Sequence, residues 1–253
     1  MMDRTDNNLE LADKKDFRSR YQLPDQFIWD DGNPTKLTFD GYVEIVKTML
    51  PVPPASILDA GCGPGKLTSE LIESGYKVVG VDYNERAIKF ARIFAQDAEL
   101  RVFDLRDLKD IHEWHGKFDA ALLVEVMEHI LPEFHPEVLN GIRLCLKPSG
   151  SLIITLPSVA LPLNRWHYKH FTLREAKDLL EKTSFSITKI QFQHRVGFLF
   201  SVSFYRLLQN RLYDLTLLRK KLRQIYFRYF NIVKEEKKAG RFIILARPDS
   251  HRL

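Results

Sequence analysis

The stretch Ile57-Leu58-Asp59-Ala60-Gly61-Cys62-Gly63-Pro64-Gly65 decides how this 253-residue chain is read. Ser56 to Ala60 has the apolar character of a buried strand, Gly61 to Gly65 reads as a turn, and Leu67 to Glu73 has helical spacing. Glycines between a strand and a helix let the backbone turn tightly and let a ligand approach the main chain. Two phosphate-binding readings fail on the spacing. A Walker A loop needs Ser or Thr after Gly-Lys, but Leu67 follows Gly65-Lys66, and Ala60 occupies its first glycine position. The dinucleotide fingerprint needs glycine where Lys66 stands. What remains is GxGxG, with Asp59 two residues before the first glycine.

Working outward, short apolar runs alternate with helical patterns. Strands are expected at Lys77–Val81, Leu100–Phe103, Phe118–Val124, Ser151–Leu156, Ser186–Phe192 and Arg241–Arg247. Helices are expected at Lys36–Leu50, Glu85–Phe94, Pro136–Leu146 and Thr172–Thr183, the last opened by a Thr172/Glu175 capping box. The runs VVGV, ALLV and LIIT are apolar throughout, as strands covered on both faces are. One helix per strand gap predicts a doubly wound α/β sheet with right-handed crossovers. In such sheets ligands bind outside the strands' carboxyl ends, where Asp59, Asp82, Asp104 and Glu125 fall. Asp82 lies 21 residues after Gly61, where a carboxylate can accept both hydroxyls of a ribose.

Six segments in this order, ILDAGCGPG (57–65), VVGVDYNERAI (78–88), RVFDL (101–105), FDAALLVEVMEHI (118–130), LKPSGSLIITLPS (146–158) and HFTLREAKDLLEKTSF (170–185), carry a resemblance. The chain resembles the class I S-adenosylmethionine-dependent methyltransferases, and within them the subgroup containing ubiquinone-biosynthesis O-methyltransferases. The resemblance covers roughly residues 36 to 195 and a last strand at 241 to 247. It implies a Rossmann-like, seven-stranded, mostly parallel sheet with an antiparallel last strand and a helical insertion before it. It also implies that Asp59, Gly61, Gly63 and Gly65 face the methionine part of S-adenosylmethionine, Asp82 the ribose, and Asp104 with Leu105 the adenine. Glu125 borders the same site. Read singly, Asp59 and Asp104 are equally cap or turn residues. Cys62 has no basic neighbour to activate it and reads as a small loop residue.

A second constellation follows strand four. In a helix, Glu125, Glu128 and His129 would share one face, and the loop Arg165-Trp166-His167-Tyr168-Lys169-His170 should cover the same pocket. In-line methyl transfer requires alignment, exclusion of water and often removal of a proton. His129 and His170 are the candidate bases, with Glu125 and Glu128 orienting them or the acceptor. Alternatively Glu125, Glu128, His129 and His167 or His170 hold a divalent metal. That arrangement resembles the terminal-nucleotide RNA 2′-O-methyltransferases, although ExxEH also occurs among small-molecule enzymes. In a third reading Glu128 and His129 only cap and pin a helix.

Composition narrows the partners. Hydrophobic residues make up 45% and charged residues 28%, which excludes disordered and fibrous classes. The two cysteines, Cys62 and Cys145, form no CxxC and suit a reducing compartment. The polar start has no apolar leader pattern, and Val196 to Tyr205 is too short to span a bilayer, so a cytoplasmic protein is expected. The net charge of +5 is unevenly placed: residues 195–241 hold twelve Lys and Arg against three acids, a net +9, leaving −4 elsewhere. We divide the chain into an N-terminal arm, 1–35, and a methyltransferase domain, 36–253, carrying a basic helical insertion at 196–240. Leucines and aromatics recur there at helical spacing from Leu208 to Val233. The insertion suits a peripheral membrane contact, self-association or lid packing, or an RNA-binding stripe. The sequence reading is therefore methyl transfer to an oxygen, or failing that a nitrogen, of a small-molecule acceptor. A metal-dependent RNA enzyme and a cofactor-binding partner without turnover are the alternatives.

Overall fold

Apolar strands with little side-chain polarity on either face need cover on both sides, and the fold supplies it with helices above and below one sheet. The computed structural model describes residues 22–28, 34–195 and 216–249. Expectations on 1–21, on 29–33 and on 196–215, including Leu208, Leu212 and Leu215, lie outside the described residues.

After a helical turn at Asp25–Ile28 come α1 (Pro34–Lys47), β1 (Ser56–Ala60), α2 (Lys66–Glu73), β2 (Lys77–Asp82), α3 (Glu85–Phe94), β3 (Glu99–Val102) and β4 (Phe118–Leu123). They are followed by α4 (His135–Cys145), β5 (Leu146–Pro157), α5 (Leu173–Lys182), β6 (Phe185–His194), α6 (Thr216–Tyr229), β7 (Ile232–Val233) and β8 (Ala239–Pro248). The sheet order is β3-β2-β1-β4-β5-β8-β6-β7. Strands β1 to β5 pair in parallel, and β8 runs antiparallel between β5 and β6. The sheet has eight strands rather than seven, because Ile232 and Val233 add a two-residue edge to β6. Nothing in so short a run distinguishes it from a loop in the sequence.

Alternate residues divide the core between the two faces. Ile57, Ala120, Leu122, Ile153 and Ile243 pack with Phe39, Tyr42, Val43 and Val46 of α1. Leu58, Ala121, Ile154 and Ile244 pack with Val138, Leu139 and Ile142 of α4. The capping box closes as expected: Thr172 Oγ1 accepts from the Glu175 N–H, and the Glu175 carboxylate accepts from the Thr172 N–H.

The late insertion is tied to the front of the domain. Arg223 of α6 pairs with Asp40 of α1 at 2.7 Å. Gln193 Nε2 donates to the Thr38 carbonyl at 2.9 Å, and Asn231 Nδ2 donates to that of Gly41 at 2.8 Å. A Cβ on Gly41 would sit 2.5 Å from Asn231 Oδ1 and 2.6 Å from Gln193 Nε2, so this crossing needs glycine.

Candidate active site

The carboxyl ends of β1, β2 and β4 open into a cleft of about 430 Å³. Its walls come from α1, the glycine turn, the segment after β4 and the loop after β5. Asp59, Gly61, Gly63, Asp82, Asp104 and Leu105 all line it. Gly65 does not line this cleft. It takes φ +86° as the residue before α2, and a Cβ there would strike Ala91 at 2.9 Å. Its glycine therefore permits the close approach of α2 and α3. Gly61, at φ +83°, has Val126 where a side chain would go.

The acidic side chains are held in defined orientations. Asp82 accepts from the Gly63 N–H at 3.0 Å and the Asn84 N–H at 2.8 Å, so its carboxylate joins the glycine turn to the start of α3. Asp59 accepts from Thr68 Oγ1 at 2.6 Å. Burial pushes both carboxyls up to about 6, and for Asp59 the neighbouring Asp82 adds to the rise. Two buried carboxylates with raised pKa values favour a cationic ligand, which would restore their charged forms. Asp104 caps the 3₁₀ turn Leu105–Asp110 and pairs with Arg106 at 2.8 Å, so its capping role and its place on the cleft wall coexist. The Cys62 thiol is buried, and burial together with Asp59 drives its pKa well up, which makes it a poor nucleophile.

After β4 the chain does not form the helix that would align Glu125 with Glu128 and His129. Glu125 has φ +56°, an unusual conformation for a side chain with a Cβ, and a single 3₁₀ turn follows at Met127–His129. The strained residue is fixed from two strands. Its N–H donates to Thr155 Oγ1 at 2.8 Å, Thr155 Oγ1 donates to Oε1 at 2.9 Å, and Arg241 Nε donates to Oε2 at 2.7 Å. Glu125 is thereby turned toward β5 and β8. Glu128 is buried, with the Arg241 charge nearby, and its carbonyl accepts from the Tyr168 N–H.

The histidines form an ordered row whose tautomers follow from their partners. A carbonyl oxygen can only accept, so His129 Nδ1, 2.7 Å from the Trp166 carbonyl, carries the proton and Nε2 the lone pair. His170 Nδ1 likewise donates to the Leu161 carbonyl, leaving Nε2 to accept from His167 Nδ1 at 2.7 Å. His167 Nε2 then accepts from Asn164 Nδ2 at 2.9 Å. Burial holds the His170 pKa below the usual imidazole value. His129 and His167 line the cleft, whereas His170 supports His167 from behind. Ligand atoms of Glu128, His129 and His167 lie within 4.8 Å of one another, so the candidate metal donors that come together include His167 in place of Glu125 and His170.

Two contributors escaped the sequence reading. Arg241 carried no motif, and its part in the cleft arises only from β8 crossing beside β5. His135 Nε2 lies 2.9 Å from the carbonyls of both Met127 and Ile130 and so pins the turn that bears Glu128 and His129. A histidine at the first position of α4 gives no local signal of that contact.

Fold and cleft together define an open α/β protein with a cleft at a glycine turn edged by carboxylates. A family profile described as a methyltransferase domain matches residues 36–211, and the chain belongs to that family. It is 30% identical over 128 residues to a ubiquinone biosynthesis O-methyltransferase of Xanthomonas campestris pv. campestris, a match covering 49% of each protein. The chain thus spans about half the length of the curated relatives it matches. Among solved structures, 1,6-didemethyltoxoflavin-N1-methyltransferase of Burkholderia thailandensis, solved with bound 1,6-didemethyltoxoflavin and S-adenosylhomocysteine, aligns at TM-score 0.59 and 19% identity. That alignment covers 96% of this chain and 90% of the other. The cyclase SpnF aligns at TM-score 0.58 and 17% identity over 83% of this chain and 81% of its own. The fold thus serves more than one chemistry, and the site must carry the functional argument.

Proposed function

We propose that the protein is an S-adenosylmethionine-dependent methyltransferase acting on an oxygen, or failing that a nitrogen, of a small-molecule acceptor. One observation carries this reading: the buried carboxylates of Asp59 and Asp82 beside a glycine turn share a single cleft with His129. The acidic row suits a cofactor that carries a sulfonium and an ammonium but no phosphate, and family membership supports the same cofactor. When bound, S-adenosylmethionine supplies an electrophilic methyl group on sulfur. Asp82 is the residue for the ribose hydroxyls, Asp59 with Gly61 and Gly63 belongs to the methionine end, and Asp104 and Leu105 to the adenine.

His129 is the proposed general base. Its Nε2 lone pair would take the acceptor's proton while the acceptor's lone pair forms the bond to the methyl carbon and the methyl–sulfur bond breaks, its electron pair staying on sulfur. The Trp166 carbonyl then stabilises the protonated ring through the Nδ1–H. Glu125 and His170 act as positioning residues, Glu125 through Arg241 and His170 through His167. Isothermal titration with S-adenosylhomocysteine tests the cofactor, and labelled methyl transfer to fractionated small molecules tests the reaction. No binding heat, together with no effect of Asp82→Ala on thermal stability in the ligand's presence, would falsify the cofactor assignment.

A second reading, metal-assisted transfer that extends to RNA 2′-hydroxyls, is favoured by the Glu128, His129 and His167 cluster. One carboxylate and two imidazoles suit a divalent transition ion, provided His167 gives up one of its two ring contacts, and the Trp166 carbonyl behind His129 is the kind of partner that orients a metal ligand. Such an ion would polarise an acceptor hydroxyl. Activity that survives chelation and Glu128→Ala removes this reading.

A further inference from the structure

Fifteen large hydrophobic side chains are exposed among the described residues, and six of them fall within residues 217–232: Leu217, Leu218, Ile225, Tyr229, Phe230 and Ile232. Leu217 is 83% exposed and Tyr229 63%, values unusual for a helix that also packs on a domain. The same helix, α6, carries Arg219, Lys220, Lys221, Arg223 and Arg228 and no acidic residue. Arg223 is anchored to Asp40, and Tyr226 and Phe227, three and four residues on, are half-buried on that side. Lys220, Lys221, Ile225, Arg228 and Tyr229 are exposed. The helix thus has one side on α1 and presents cations mixed with apolar groups outward.

We infer that α6 and the β7 edge form a docking surface for an anionic lipid bilayer. A helix with lysine and arginine around exposed leucine, isoleucine and aromatic side chains has the composition of an interfacial helix. Its apolar groups enter the acyl boundary while the cations meet anionic headgroups. No described helix is long and apolar enough to cross a membrane, so contact at the surface is the mode this element supports. Charge and shape favour lipid over the other occupants. Leu217, Leu218, Ile225 and Ile232 have no π face on which a nucleic-acid base can stack. A two-fold pairing of this face with itself would bring Lys220, Lys221 and Arg228 against their own copies. The surface is independent of the reaction assigned to the cleft, although both share α1.

Vesicle flotation with the full chain tests this. Binding is expected on vesicles of phosphatidylcholine with phosphatidylglycerol, little on phosphatidylcholine alone, and less as salt rises from about 0.1 to 0.5 M. The variant K220E/K221E/R228E should lose ~100-fold or more in partitioning. L217S/I225S should weaken it severalfold at low salt, through the apolar contribution. Both variants should keep the wild-type melting curve and S-adenosylhomocysteine titration. If either misfolds, the salt dependence and lipid-charge dependence of the wild-type protein still decide. The inference is overturned by no flotation on anionic vesicles, or by equal flotation on neutral ones. Tight binding to a single-stranded oligouridylate without vesicle binding also overturns it, as does a salt-stable dimer by light scattering that K220E/K221E/R228E leaves intact. Loss of S-adenosylhomocysteine binding with flotation intact would instead count against the function proposed for the cleft.

Discussion

Arg241 and Glu125 stand 116 residues apart in the chain, yet the guanidinium Nε of one donates to the carboxylate of the other at 2.7 Å. This contact joins the antiparallel strand β8 to the left-handed residue that follows β4. Both side chains are mostly shielded from solvent, and Arg241 also stacks over the Tyr42 ring at 5.3 Å. It is therefore a structural clamp at the cleft wall as much as an ion pair.

Arg241→Ala should leave a shielded carboxylate without its cation beside a strained backbone. We expect a loss of about 2–4 kcal/mol in unfolding free energy. Urea melts of Arg241→Ala, Glu125→Gln and the double variant give the coupling. Additive losses would show that the two residues do not act together.

Asp82→Asn retains the shape of the side chain but discards the charge that accepts from Gly63 and Asn84. Affinity for S-adenosylhomocysteine should fall ~10- to 100-fold by calorimetry, since hydrogen bonds to a charged group contribute about 1.5–3 kcal/mol. An unchanged dissociation constant would remove Asp82 from the binding site.

The raised carboxyls also set a pH dependence. With Asp59 and Asp82 at about 6 in the fold and near 3.8 when unfolded, the folded state binds more protons between these values. Their contribution to stability is therefore present below pH 4 and lost as pH rises through 6. Asp119 and Glu175 work the other way, held down to about 2 chiefly by hydrogen bonds from Lys147 and Lys169, so their contribution is lost as pH falls from about 4 toward 2. A cationic ligand needs the ionised carboxylates, so S-adenosylmethionine should bind roughly tenfold more weakly per carboxylate at pH 5 than at pH 7. Affinity that is flat across that window would contradict the proposed charge complementarity.

His129→Ala should lower turnover by ~10²- to 10⁴-fold while leaving S-adenosylhomocysteine affinity within a few-fold of wild type. His170→Ala should cost less, because it reaches the cleft only through His167. A larger loss for His170 than for His129 would reverse the roles given to them.

Gly41→Ala places a methyl group against Asn231 and Gln193, both of which hold backbone carbonyls of α1. Displacing those amides should destabilise the fold by about 1–3 kcal/mol, measurable as a lowered melting temperature. A neutral result would mean that the amides can move without losing their partners.

Much of the fold was legible because local signals agreed. The run from Ser56 to Ala60, the helix Glu85–Phe94 and the capping box at Thr172 follow from period, caps and turn residues within a few positions. The row Asp59, Asp82 and Asp104 was legible for the same reason, since a strand's end is marked where its apolar run stops. The geometry after β4 was not. The helix anticipated at Glu125 gives way to a left-handed residue, because Thr155 and Arg241 capture its side chain from strands 30 and 116 residues away. Gly65 belongs to a motif, yet its glycine answers to the nearness of Ala91. Contacts of this kind leave no period in the sequence.

The amide ties from Gln193 and Asn231 to the backbone of α1 have an architectural consequence. They flank α6, Gln193 on the strand before the insertion and Asn231 within it, between α6 and β7. The carbonyls they hold belong to a helix that walls the cleft. The insertion is thus not a detachable appendage: shortening it by design must preserve Asn231 beside α1, or the front wall of the pocket loses part of its backing. Arg223 of α6 and Asn231 just after it both hold α1, so the insertion braces the helix that walls the cleft.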